Sequence, residues 1–152
     1  MKGTLRVLIV AALLGITVTA GAAEGLIAVP SPYNPQTTMK RFKAVVKKNG
    51  MHIFALIDHA AGAAKVGLKL RPTAVLIFGN PVGGTALMQC GQTAGIDMPL
   101  KALVWQDAAG KVWLGYNDPA YIARRHGIGE CHGVVKKLSK ALAGFAAAAT
   151  KS

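Results

Sequence analysis

The chain has 152 residues, 52% of them hydrophobic, and 18 lysines and arginines against 6 acidic residues, a formal net charge of +12. That length suits one domain with one core rather than several. The charge favours anionic partners, and beyond the N-terminus no segment is long and apolar enough to span a membrane.

The N-terminus reads as a secretory signal over residues 1–23. Lys2 and Arg6 form the positive start, "VLIVAALLGITV" the apolar stretch, and "AGAA" the small residues for cleavage after Ala22 or Ala23. Val7 to Ala23 is shorter than a spanning helix needs, Thr17 and Thr19 weaken it further, and no cysteine stands there to carry a lipid. The expectation is a periplasmic or secreted protein with no stable membrane span after cleavage. The first 23 residues hold two cations and no acid, so residues 24–152 keep 16 basic residues against 6 acidic ones, a formal +10. In an exported chain nucleic acid is not the expected partner. A small anionic ligand, a polyanionic surface or a low-pH habitat would each suit so few carboxylates.

"LIAVPSPY", from Leu26, starts as a strand and stops at its prolines. Asn34-Pro35 is a cap followed by a first-turn proline, and opens a helix. Met39, Phe42, Val45 and Val46 share one face of it, while Lys40, Arg41, Lys43, Lys47 and Lys48 fall largely on the other. Asn49-Gly50 ends it. "MHIFALID" reads as a strand, and "HAAGAAKVGLKL" as a short helix or ordered loop. "TAVLIFGN" is a second buried strand; the Gly-rich turn after it leads into one or two helical turns at "TALMQC". Leu100–Gln106 and Lys111–Asn117 flank "DAAG" as a hairpin. Asp118-Pro119 caps a short helix reaching Arg125. Val134, Val135, Leu138, Ala141, Leu142 and Phe145 line one face of a final helix. Strand, helix, four strands and helix in that order predict a single α+β domain over residues 24–152. Its sheet is mostly antiparallel, with two long helices on one face.

The segments "FALIDHAAGA", "LRPTAVLIFGNPVGGTALMQ" and "GIDMPLKALVWQDAAGKVWLGYNDPAYIARRHGI" resemble the family of domains of unknown function numbered 302. The motifs that carry the resemblance are Ile57-Asp58-His59, Phe78-Gly79-Asn80-Pro81, Gly84-Thr85, Pro99-Leu100-Lys101, Val104-Trp105 and Arg125-His126-Gly127, and it runs most strongly from Phe54 to Ile128. It implies a compact α+β domain laid out like the TATA-binding-protein-like folds, often dimeric, and implies no reaction and no catalytic residue. Cys90 and Cys131 depart from the family pattern.

Gly79 and Gly84 have the spacing of a phosphate-binding loop, yet Thr85 follows directly and the lysine such a loop needs is missing, which argues against nucleotide hydrolysis. Backbone N–H groups near Gly83 to Ala86 could hold a small anion; a glycine turn is the plainer reading. Asp58 and His59 end a strand and point to opposite faces, so a structural role for Asp58 stands beside an acid–base one. Arg125 and His126 end a short helix, where a cation is favoured. On the family pattern, His59, His126, Lys101 and Asn80 would surround one polar pocket, with Asp58, Thr85 and Arg125 as further candidates. Two cysteines in an exported chain suggest a disulfide; Cys90–Cys131 would close a loop of about 40 residues, worth roughly 4 kcal/mol. Trp105 and Trp113 flank the hairpin loop as packing residues.

The expected protein is an exported, homodimeric binding or accessory module of the cell envelope, without cofactor or metal and with no recognisable catalytic residue. Two alternatives remain: an enzyme working through Asp58, His59, Lys101 and His126, and a redox or metal-handling protein using Cys90, Cys131 and His132.

Overall fold

Asn34, Asp58, Asn80 and Asp118 each stand one residue before a helix and turn a side-chain oxygen onto a backbone N–H just inside it. Asn34 accepts from Thr37 at 2.8 Å, Asp58 from Ala61 at 2.9 Å, Asn80 from Val82 at 2.9 Å and Asp118 from Ala120 at 2.9 Å. Each such cap satisfies a donor that the first helical turn leaves free, worth about 1 kcal/mol. Proline follows three of the four, where its missing N–H costs nothing. These local signals set the starts of helices α1 (Pro35–Lys48), α2 (His59–Lys65), α3 (Pro81–Cys90) and α4 (Pro119–Arg125); α5 spans His132–Thr150. The structure, a computed structural model, describes residues 23–152. The signal segment read over residues 1–23 therefore lies, but for Ala23, outside the described residues.

Five strands form one sheet: β1 (Leu26–Ser31), β2 (His52–Asp58), β3 (Thr73–Gly79), β4 (Leu100–Gln106) and β5 (Val112–Asn117), in the spatial order β1-β5-β4-β3-β2. Every pairing is antiparallel, in keeping with strands that come mostly in sequence without alternating helices. Strand residues alternate between faces. Leu76 and Phe78 of β3, Leu100, Ala102 and Val104 of β4, and Val112, Leu114 and Tyr116 of β5 turn to one face, where they meet Met39, Phe42 and Val46 of α1 and Leu142, Phe145 and Ala146 of α5. Phe42 sits edge-on to Phe78, ring centroids 5.3 Å apart. Both are fully buried, each worth about 1.5–3 kcal/mol of apolar transfer.

α1 and α5 are tied at their ends as well as through this core. Arg41 of α1 donates to the carbonyls of Ala149 and Lys151, both at 2.7 Å, and lies 4.3 Å from the Tyr33 ring centroid. A guanidinium placed there satisfies carbonyls that the end of α5 leaves without N–H partners.

A second, smaller core lies beyond one end of the sheet. Leu87 of α3, Ala94 of the short 3-10 helix Gln92–Ile96, Ile122 and Ala123 of α4, and Ile128 form it. Cys90 and Cys131, bonded to each other with Cα atoms 6.1 Å apart, clamp the end of α3 to the start of α5 at its margin. This pairing agrees with the one the sequence suggests.

One expected element moves. The Gly-rich stretch before "TALMQC" is no loop: α3 begins at Pro81, so Gly83 and Gly84 are inside it, and the Gly84 N–H bonds to the Asn80 carbonyl at 3.1 Å. Of the N–H groups considered for a small anion there, that of Gly84 is taken by this bond. Each internal glycine costs about 1 kcal/mol of helix propensity; burial of Leu87 and the Asn80 cap offset it.

Candidate functional site

The seven residues singled out from the sequence fall at three places. Asp58 caps α2 and lines a hollow of about 380 Å³ between α1 and the edge strand β2, with Met39, Leu56 and Val104 among its apolar walls and Lys40 and Lys43 of α1 also lining it. His59 is exposed beside it, as the first residue of α2. Asn80 and Thr85 line a different hollow, of about 350 Å³, at the start of α3. Lys101, Arg125 and His126 gather at a third place, around Asp97. The single pocket containing His59, Asn80, Lys101 and His126 is therefore not formed. Along β2 and β3, Asp58 pairs with Ala74, whereas Lys101 pairs with Ile77, so the two ends of the presumed pocket belong to different rows of the sheet.

The polar cluster is built from the loop between α3 and β4 and from the end of α4. Asp97 follows the 3-10 helix; His126 follows α4 as its C-cap. Gly91 lets the two segments approach, since a Cβ there would stand 2.8 Å from the Ile128 side chain. Arg125 Nη1 donates to both Asp97 carboxylate oxygens, at 3.0 and 3.2 Å. His126 Nε2 lies 2.7 Å from Asp97 Oδ2, and its Nδ1 lies 2.9 Å from Thr93 Oγ1. The imidazole is 8% exposed and the Asp97 side chain 12%, against 51% for Arg125. The expected inward-pointing Lys101 instead donates to two carbonyls, of Asp97 at 3.1 Å and of Pro99 at 3.0 Å. Both ion pairs among the described residues end on Asp97.

The hollow at α3 has the more apolar walls. Met51, Phe54, Met88, Met98, Leu100 and Leu138 supply apolar surface, and Gly79, Gly83, Gly84 and Gly95 supply room. Pro99 lies in its wall, so the hollow and the polar cluster share the segment Gly95 to Pro99, one face serving each. Asn80 also donates to the Gly50 carbonyl at 3.2 Å, which fixes the amide that caps α3. Small, polarisable and flexible side chains are what an adaptable apolar site uses.

Sequence reasoning misses Thr93, Asp97 and the methionines. Asp97 could have been found from scarcity: it is one of six acids among 18 cations, set in "GIDMPL" next to motif residues. Thr93 carries no such signal.

Comparison with known proteins follows the same outline. A crystal structure of an uncharacterized conserved DUF302 protein from Bacillus stearothermophilus superposes with a TM-score of 0.76 at 18% identity, covering 84% of this chain and 99% of that one, a likeness of fold. Residues of this chain are also similar to proteins named fluoride-specific ion channel FluC 1 in Brucella suis biovar 1 and Brucella abortus biovar 1, each at 50% identity over 106 residues. The match covers 70% of this chain but 42% and 39% of those proteins, so the chain spans about two fifths of their length. The profile of the family described as domain of unknown function DUF302 matches residues 27–145. With four-fifths of its length inside that profile and the fold of a solved member, the chain belongs to the DUF302 family.

Proposed function

We propose that this protein is an exported, small-ligand-binding or accessory module of the cell envelope, with its ligand seated in the hollow at the start of α3. The observation that carries the reading is the hollow itself: about 350 Å³, apolar-walled, with Asn80 and Thr85 as its polar members. Concave, largely apolar sites with a few polar groups are the usual places for small ligands. The Cys90–Cys131 bridge supports an oxidising compartment. The formal +10 of residues 24–152 supports an anionic ligand.

The accessory role is supported by the relatives. Among the described residues no helix is long and apolar enough to cross a membrane, while the matching proteins carry the name of an ion channel and are more than twice the matched length. On this reading the matched segment is an appendage of those proteins, and the present chain carries the same unit.

Homodimer formation is supported by the sheet face away from α1 and α5. Val75, Ile77, Leu103, Trp105 and Trp113 lie on that face, each only partly buried, and Ile57 on it is exposed. No element packs across it among the described residues.

The hollow is tested with 1-anilinonaphthalene-8-sulfonate, an apolar anion whose fluorescence rises on binding. Gly84 lines the hollow, has nothing within 4 Å of the position its Cβ would take and lies inside a helix, so Gly84→Leu adds bulk at the wall with room for its Cβ and with improved helix propensity. Saturable binding to the wild type, weakened about tenfold or more in Gly84→Leu (roughly 1.4 kcal/mol), is expected. Equal binding by the two proteins removes the hollow as the site.

A further inference from the structure

We propose that Thr93, His126 and Asp97 form a hydroxyl-nucleophile relay able to hydrolyse small carboxylic esters, an activity separate from ligand binding in the hollow. Of the imidazoles among the described residues, His126 alone is hydrogen-bonded through both ring nitrogens, to Thr93 at 2.9 Å and to Asp97 at 2.7 Å. The arrangement has the three parts an activated hydroxyl needs: a nucleophile, a base within hydrogen-bond reach, and a third group that orients the base.

The chemistry of the partners sets the proton positions. The Arg125 guanidinium donates to both Asp97 oxygens, at 3.0 and 3.2 Å, and a carboxylate in such a pair only accepts. His126 Nε2 therefore carries the ring hydrogen and donates it to Asp97 Oδ2. Nδ1 keeps its lone pair, and the Thr93 hydroxyl donates into it. The base is nearly buried, whereas Thr93 is exposed and can be reached from solvent. The clamp is held by more than its own hydrogen bonds: Ala94, next to Thr93, is fully buried in the small core with Ile122 and Ile128 on either side of His126.

In the step proposed, Thr93 Oγ1 bonds to the acyl carbon of the ester as its proton passes to His126 Nδ1. The ester C–O bond breaks, and the departing alkoxide takes that proton and leaves as the alcohol. Water then attacks the acyl-threonine, giving its proton to Nδ1. The Oγ1–acyl bond breaks, the proton returns to Thr93, and the carboxylic acid leaves. No redox partner is involved.

The experiment treats the folded chain, its disulfide intact, with a fluorophosphonate and maps the adduct by peptide mass spectrometry, alongside initial rates on p-nitrophenyl acetate. Labelling forms a Thr93 Oγ1–phosphorus bond and expels fluoride, the hydroxyl proton passing to His126. Expected are an adduct on Thr93, its loss in Thr93→Ala with a fall of about tenfold or more in ester turnover, and its retention in Thr93→Ser. Asp97→Asn, close in shape, favours the wrong tautomer and should slow labelling of Thr93 by about tenfold or more. A wild type unlabelled at Thr93, turnover unchanged in Thr93→Ala, or Thr93 labelling as fast in Asp97→Asn would each overturn the relay.

Discussion

The Trp105 indole lies across Gly115 on the neighbouring strand, so close that a Cβ at position 115 would stand 2.9 Å from its ring and 3.2 Å from the Ile27 carbonyl oxygen. Three of the five strands thus meet at one residue without a side chain. The same indole stacks beside Trp113, centroids 6.3 Å apart and planes 17° from parallel. Gly115 is what lets two large rings lie flat on the sheet.

From this contact, Gly115→Ala is expected to destabilise the fold by about 1–3 kcal/mol, the usual penalty for overpacking, despite alanine's advantage over glycine in a strand. Trp105→Leu in the same background should recover part of the loss, because it removes the ring atoms but not the Ile27 carbonyl. Urea unfolding of the two single variants and the double variant measures this coupling. Additive effects would mean that the ring and residue 115 do not meet.

Asp107, in the β4–β5 loop, receives the Trp113 indole N–H at 2.8 Å and the N–H groups of Ala109 and Lys111 at 2.9 Å each. The indole does most to hold its carboxyl below the usual carboxylate range; the Lys111 and Ala109 N–H groups and the Lys111 charge add to this, and partial desolvation opposes it. A carboxyl lowered in the folded state stabilises the fold above its unfolded titration range. That contribution fades as pH drops through the folded value. Asp107→Asn should therefore lower the melting temperature at neutral pH, and the gap to wild type should close in strong acid. Melting curves across pH would show it; a gap independent of pH would refute the assignment.

Leu103 occupies the middle of the open sheet face, between Val75 and Gly115 on the adjacent strands. If a second copy covers that face, Leu103→Lys places a charge at the centre of the contact and should convert the dimer to a monomer while the opposite-face core stays intact. Sedimentation equilibrium of wild type and variant decides it. A wild type of monomer mass at micromolar concentration would refute the dimer.

Much of the architecture was legible because its signals are local. Asn34 and Asp118 announce helices from within two or three residues, and the apolar run "TAVLIFG" and the alternation along "LKALVWQ" announce strands. Where a local signal competed with a cap, the sequence misled: glycines at 83 and 84 suggested a turn, yet Asn80-Pro81 had already begun the helix. The polar cluster was harder still. Asp97 and His126 are 29 residues apart and meet only because two helix ends pack on one small core. Lys101 was placed correctly on its strand, but its long stem lets the ammonium reach the carbonyls of Asp97 and Pro99, and strand periodicity says nothing of such a bend. Asp58 and His59, alike in sequence character to Asp97 and His126, serve a helix start and the surface.

Among the described residues β1 pairs with β5 alone, Leu26 opposite Asn117 and Ser31 opposite Val112. During synthesis, then, the segment that emerges early must wait for roughly ninety further residues before its ladder can close. Closing so long a loop is slow but, by the logarithmic cost of chain length, not prohibitive. Until the ribosome has delivered Asn117, this edge of the molecule has no template, and an arrest before that residue would leave β1 an orphan strand rather than a smaller folded protein.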